Sequence, residues 1–184
     1  MTKKNNDIIY LVNERDDICF VNGKYEEFAA ANAGNAAASK SVLHQSLWNF
    51  VTDITTQELY RSALRKVREG NRLRFKFRCD SPDCRRMLEM NMQVVRNREV
   101  EFRIRTISEK KRPVQALWDP LAIRSKDLLR VCSWCKKIQV GDDWMEVEKA
   151  VTRLSLFERS VLPSVSHGIC DQCYKEIADI LEAS

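Results

Sequence analysis

Apolar and polar residues alternate most cleanly over three stretches in the middle of the chain. Leu73, Phe75 and Phe77 are interleaved with Arg72, Arg74, Lys76 and Arg78. Leu88, Met90, Met92 and Val94 alternate with Glu89, Asn91 and Gln93, and Val100, Phe102 and Ile104 with Glu101, Arg103 and Arg105. Successive side chains of a strand point to opposite faces, so this pattern predicts three strands with one buried and one wet face, as in an antiparallel sheet. Cys79–Arg86 and Arg96–Glu99 read as the connecting turns, with Asp80-Ser81-Pro82-Asp83 a tight one. Two shorter β-type runs, Ile8–Asn13 and Asp17–Asn22, flank the polar Glu14-Arg15-Asp16 and predict a hairpin.

Between the hairpin and the three strands the period becomes helical. Tyr25, Phe28, Ala29 and Asn32 recur at helical spacing over Lys24–Ala33, and Gly34 stops that helix. Asn35–Ser41 reads as a loop, and Val42–Val51 as a short, mostly buried helical segment. Thr55-x-x-Glu58 has the form of a capping box before the stripe Leu59, Tyr60, Ala63, Leu64 and Val67, which ends at Gly70. The order β-β-α-α-β-β-β predicts an α+β domain over residues 7–112, a five-stranded antiparallel sheet with helices on one face. Residues 113–130 read as a connector whose Leu117, Trp118, Pro120, Leu121 and Ile123 should pack somewhere. Residues 131–184 form a small C-terminal module. Its short amphipathic helices carry Val147, Ala150, Val151 and Leu154, then Tyr174, Ile177, Ile180 and Leu181, the second with Asp171 as candidate N-cap.

That module carries the strongest chemical signal. Cys132-Ser133-Trp134-Cys135 and Cys170-Asp171-Gln172-Cys173 are both C-x2-C, with 34 residues between them. Two thiolates at this spacing can grip one ion from a tight turn, and two such turns close the tetrahedron of a structural Zn²⁺ site. Cys132, Cys135, Cys170 and Cys173 are therefore the candidate ligands, and four thiolates leave no open position for water or substrate. The alternative is thiol redox chemistry, as in a C-x-x-C that opens a helix after a buried strand. Lys136 and Lys137 follow the first pair and offer charge compensation. His167, three residues before Cys170, is a candidate replacement ligand or a structural histidine. Cys79 and Cys84 have no third or fourth ligand nearby in sequence, and Cys19, between Ile18 and Phe20, reads as a small buried hydrophobe.

Charge divides the chain unevenly. There are 22 Lys/Arg against 15 Asp/Glu up to Arg112 and 9 against 11 beyond it, so the two halves should attract each other. Arg72, Arg74, Lys76, Arg78, Arg103 and Arg105 share the wet sheet face by alternation. That face is open to three readings: a solvated surface, a dock for an acidic partner or the chain's own acidic tail, or a phosphate-binding surface for nucleic acid. No aromatic alternates with those arginines to stack bases. The 44% hydrophobic and 31% charged composition is that of a globular domain. No apolar run reaches membrane-span length, and the Ile8–Val12 stretch is too brief for a signal peptide, so a cytoplasmic protein is expected. No phosphate-binding loop, nucleophile elbow or kinase half is present, so no enzyme is expected.

The residues also resemble a known family. Phe20-Val21-Asn22 through Phe28-Ala29-x-x-Asn32, then Ser46-Leu47-Trp48-Asn49-Phe50-Val51-x-Asp53, resemble the opening of a PAS domain. Phe77-Arg78-Cys79-Asp80-Ser81-Pro82, Arg85-Arg86 and Met87–Met92 are similar to a subgroup of bacterial PAS-type signalling proteins. Cys132-Ser-Trp-Cys-Lys-Lys-Ile, Trp144 and Ser166-His167-Gly168-Ile169-Cys170-x-x-Cys173 resemble a C-terminal extension of that subgroup. The resemblance spans about residues 8–180. It implies a sensory or adaptor domain that dimerises or docks a signalling partner. It also implies a small-molecule cavity among Phe28, Trp48, Phe50, Phe75, Phe77, Met90 and Phe102. The reactive-cysteine context of a flavin photosensor is missing, and His44, the one histidine before residue 113, reads as a surface or capping residue rather than a haem ligand.

Overall fold

A computed structural model describes residues 6–32, 42–119 and 121–184 of the chain. The expected helix stop at Gly34, the loop at Asn35–Ser41 and the packing of Pro120 lie outside the described residues, as does the side chain of Asn32. The architecture is α+β. Strands β1 (Ile8–Val12) and β2 (Ile18–Val21) make the hairpin, and helices α1 (Gly23–Asn32) and α2 (Ile54–Arg68) follow. Then come β3 (Leu73–Arg78), β4 (Cys84–Val94) and β5 (Val100–Lys111). All five strands pair antiparallel in the spatial order β2-β1-β5-β4-β3, which leaves β3 at one end.

The alternation along β3, β4 and β5 places Leu73, Phe75, Leu88, Met90, Met92, Val100 and Phe102 in the interior. All but Leu88 share one apolar cluster with Leu59, Ala63, Leu64 and Val67 of α2. Burying a side chain of this size contributes roughly 1.5–3 kcal/mol, so these residues hold the helix to the sheet. Two expectations shift. The helix cap is Asp53, whose carboxylate accepts from the Thr56 N–H at 2.8 Å and the Thr56 hydroxyl at 2.7 Å, so α2 begins before the anticipated Thr55 box. Within the Val42–Val51 segment Leu47–Asn49 forms a 3₁₀ turn; Val42 and Leu47 are buried but Phe50 is 44% exposed.

The C-terminal third builds a second sheet from β6 (Arg124–Cys132), β7 (Ile138–Val140), β8 (Asp143–Met145) and β9 (Leu162–Gly168), in the order β8-β7-β6-β9. Helix α3 (Val147–Arg153) lies between β8 and β9, and α4 (Asp171–Glu182) ends the chain. The span 113–130 is thus more than a connector. It buries Leu117 in a short 3₁₀ turn and then becomes β6, paired in parallel with β9. Leu117, Leu129, Val131, Ile138, Val147 and Leu156 form a cluster of their own. Trp134, Ile169, Ile177 and Leu181, however, join the core of the five-stranded sheet. The boundary expected near residue 131 therefore divides the chain but not its apolar interior.

Candidate metal centre

Four sulfur atoms converge where β6 ends and α4 begins. The Sγ atoms of Cys132, Cys135, Cys170 and Cys173 all lie within 4.8 Å of one another, and those of Cys135 and Cys170 are 3.7 Å apart. A tetrahedral ion with metal–sulfur bonds of about 2.3 Å requires sulfur–sulfur edges of about 3.8 Å. The donor set therefore fits a closed four-thiolate site. Local structure explains the convergence. Cys132 closes β6, and Lys136 adopts the left-handed conformation (φ 62°) that folds the turn back. The Lys136 N–H donates to the Cys132 carbonyl at 3.0 Å, and the Cys132 N–H to the Lys137 carbonyl at 2.8 Å. Cys170 is the N-cap of α4, which places Cys173 in its first turn and gives both sulfurs the positive end of the helix; Asp171, expected as the cap, is the first helical residue.

The electrostatics of the cluster call for a cation. Hydrogen bonds from the Cys135 and Cys173 thiols, and from the backbone N–H groups of Cys135 (3.5 Å) and Cys170 (3.4 Å), pull the Cys132 thiol far below its ordinary range. The same bonding to Cys132 pushes Cys135 up to about 12 and raises Cys173 well above a normal thiol. One thiolate is comfortable and makes the next ones costly. A positive ion at the centre would offset this mutual opposition among Cys132, Cys135 and Cys173.

His167 stands outside the sulfur cluster, the one metal-competent group found among the described residues. Cys79 and Cys84 flank the Asp80–Asp83 turn as free thiols, Cys84 buried and Cys79 half-buried. Cys19 is also only half-buried; its thiol donates to the Leu11 carbonyl at 3.5 Å, and burial pushes its pKa up.

The cluster is fastened to the five-stranded sheet by the residue between its first two cysteines. The Trp134 indole N–H donates to the Lys76 carbonyl at 2.7 Å, and the Trp134 carbonyl accepts from the Arg78 N–H at 2.8 Å. Its ring meets Phe75 edge-on at 5.6 Å, Tyr60 at 6.0 Å and Phe77 at 5.9 Å. The sequence signal was present: an aromatic inside a two-residue metal turn must bury its ring against something. Which surface it would meet was invisible locally. Trp134→Phe keeps most of the ring but leaves the Lys76 carbonyl without this donor. The expected cost is about 1–2 kcal/mol in urea unfolding of the metal-loaded protein; an unchanged midpoint would show that this hydrogen bond contributes nothing.

An ion network completes the seam. Arg78, last residue of β3, was expected on the wet face but is 5% exposed. The cause is Asp80, whose carboxylate is held between the Arg78 guanidinium and that of Arg112, the latter at 3.1 Å. Arg78 also meets Glu146 at 2.6 Å, and Arg85 meets Glu146 at 3.1 Å and Glu148 at 2.9 Å. Burial lowers the Arg78 pKa, but hydrogen bonds to Asp80 and Glu146 outweigh it and hold the group above its ordinary value. The expected attraction between basic front and acidic tail thus takes the form of Arg78, Arg85 and Arg112 facing Glu146 and Glu148. Elsewhere on the sheet Arg103 pairs with Asp7 and Glu101, and Arg105 with Glu89 at 2.6 Å.

Among the described residues, the seven expected around a cavity are spread over different parts of the surface and core. Phe75 and Met90 line a void of about 10 Å³, bounded also by Trp134 and Ile177, too small for more than a single water. Phe102 is buried and stacks on Tyr10 at 4.5 Å. Trp48 donates from its indole to Asp16 at 3.1 Å and lies under Arg61. Phe28 lies beneath the Arg86 guanidinium, beside an outer hollow. Phe50 and Phe77 instead line a cleft at the seam of the two sheets. The physical reason is that Trp134 and Ile177 of the C-terminal module occupy the space over Phe75 and Met90.

Among the described residues no helix is long and apolar enough to cross a membrane. No family model and no curated protein matches the sequence. Among solved structures, a domain of an HTR-like protein from Haloarcula marismortui is similar at 15% identity and a TM-score of 0.39, over 56% of this chain and 99% of that one.

Proposed function

We propose that the chain is a non-enzymatic PAS-type sensory or adaptor protein whose C-terminal module is held by one structural Zn²⁺ and braces the sheet of the sensor. The convergence of four sulfurs on one centre carries this reading. Thiolate-only coordination suits zinc, and a closed donor set supplies stability rather than catalysis. The family part rests on the sequence resemblance together with the element order β-β-α-α-β-β-β and its antiparallel sheet. Because Trp134 and Ile177 cover the space over Phe75 and Met90, the sensor takes up its signal at its surface, by docking a signalling partner or a second copy. The seam between sheet and module is the element whose two states, docked and released, such an event would bias. Nucleic-acid binding on the basic face is the weaker alternative, because Arg103 and Arg105 already face carboxylates.

Native mass spectrometry of freshly purified protein tests the reading. One Zn²⁺ per chain, in a dimer or with a co-purified partner, is the expected result. Metal-free protein carrying a reversible Cys132–Cys135 or Cys170–Cys173 disulfide would overturn it in favour of a thiol redox sensor.

A further inference from the structure

We propose that the cleft at the seam of the two sheets is a binding site for a small aromatic carboxylate. The cleft holds about 260 Å³, room for a single-ring molecule. One side belongs to the sensor, through Tyr60, Phe77 and Cys79, and the other to the metal module, through Trp134, Lys136 and His167. Its aromatic walls offer a ring face and edge to a planar ligand. Phe50, at 44% exposure, stands among its lining residues as an apolar surface that an occupant would cover.

Charge selects the rest of the ligand. Two ionic groups of the lining are already engaged: Arg78 by Asp80 and Glu146, and Asp53 by Thr56 at the start of α2. The Lys136 ammonium has only the Ser133 carbonyl, at 3.0 Å, as a described partner, which leaves donors for an anion. Three elements bring polar groups together here. Burial and then the nearby Lys136 charge lower the His167 pKa against the opposite pull of Asp53, while burial raises that of Cys79 against the pull of Lys136, so a bound carboxylate must sit on the Lys136 side, away from Asp53. An aryl ring against Phe50 and Phe77, with its carboxylate on Lys136, uses both features at once. Because the site is half sensor and half module, an occupant stabilises the docked arrangement by mass action.

The test is two-dimensional NMR of the full, metal-loaded chain titrated with benzoate. Saturable shifts of the Trp134 indole N–H and of the Lys136 and His167 amides are expected. Benzyl alcohol, which lacks the charge, and cyclohexanecarboxylate, which lacks the π face, should each bind about tenfold more weakly. Lys136→Met should weaken benzoate about tenfold. Lys136 borders Cys135, so Phe50→Ala, remote from the sulfurs in sequence, is the second variant, with an expected loss of about threefold. No shifts, shifts confined to other surfaces, or parental affinity in both variants with metal content intact would overturn the proposal. Metal analysis of the same sample separates this from the zinc assignment. A metal-free chain that still shows the shifts ends only the zinc assignment, and a metal-loaded chain without them ends only this proposal.

Discussion

If the four sulfurs hold a metal as proposed, Cys132→Ser should release it and, with it, loosen the hold of the C-terminal module on β3. Cys132 is the sulfur on which the cluster is organised: it closes β6 and receives the backbone N–H groups of Cys135 and Cys170. A serine hydroxyl at this position is a poor ligand for a soft-donor ion. Four-thiolate structural sites contribute about 10–16 kcal/mol of apparent binding free energy, more than the whole stability of many domains. Three sulfurs leave one corner of the tetrahedron open, so the loss is larger than one bond. Metal analysis should find the variant empty. Hydrogen exchange should find the Arg78 amide, which donates to the Trp134 carbonyl, no longer protected. Cys170→Ser should behave alike. Full metal occupancy with an unchanged Arg78 amide in both variants would remove these cysteines from the site.

Asp80→Ala should destabilise the metal-loaded protein by about 3–5 kcal/mol, the range for breaking a buried ion pair from one side. The Asp80 side chain is 1% exposed, and Arg78 and Arg112 beside it are each 6% exposed. Removing the carboxylate leaves two buried guanidinium groups sharing Glu146 and Glu148, both of which are partly open to water. The comparison is Lys111→Ala, which breaks a pair with Asp83 at 2.8 Å where the lysine side chain is 81% exposed. Exposed pairs of that kind contribute under about 1 kcal/mol. Urea unfolding of both variants with metal bound measures the difference. Equal, small losses would mean that the network is solvated and does not lock the seam.

The sheet was legible because each central strand has one dry face, and a dry face writes period two into the sequence. Where both faces are wet the signal vanishes. β5 continues to Lys111 only because Arg85 and Arg86 of β4 run alongside it, paired with Lys110 and Glu109. Neither strand announces that extension. β6 was read as a connector for a related reason. Its partner β9 lies far along the chain, with Leu128 opposite Ser164, and exposed Leu128 breaks any alternation. Ends of helices were legible only to within a residue or two. Asp53 and Cys170 capped where Thr55 and Asp171 were expected, since several polar residues near each end are able to cap. The four cysteines were legible because their chemistry fixes their spacing. The seam was not, because Arg78 and Trp134 acquire their roles from residues more than fifty positions away, and Asp80 is enclosed by Arg112, 32 positions on.

The two Trp134 hydrogen bonds fall on the Lys76 carbonyl and the Arg78 N–H, the outward-facing backbone groups of a terminal strand. Those are the groups that a foreign strand would use to extend the sheet. With the module in place, growth in that direction is capped. Demetallation uncaps it, leaving an unsaturated rim next to the apolar Phe75 and Phe77. If the proposed ion holds the module in place, its loss is expected to open this edge to strand addition by a second copy, and light scattering of the chelated protein at rising concentration would show it.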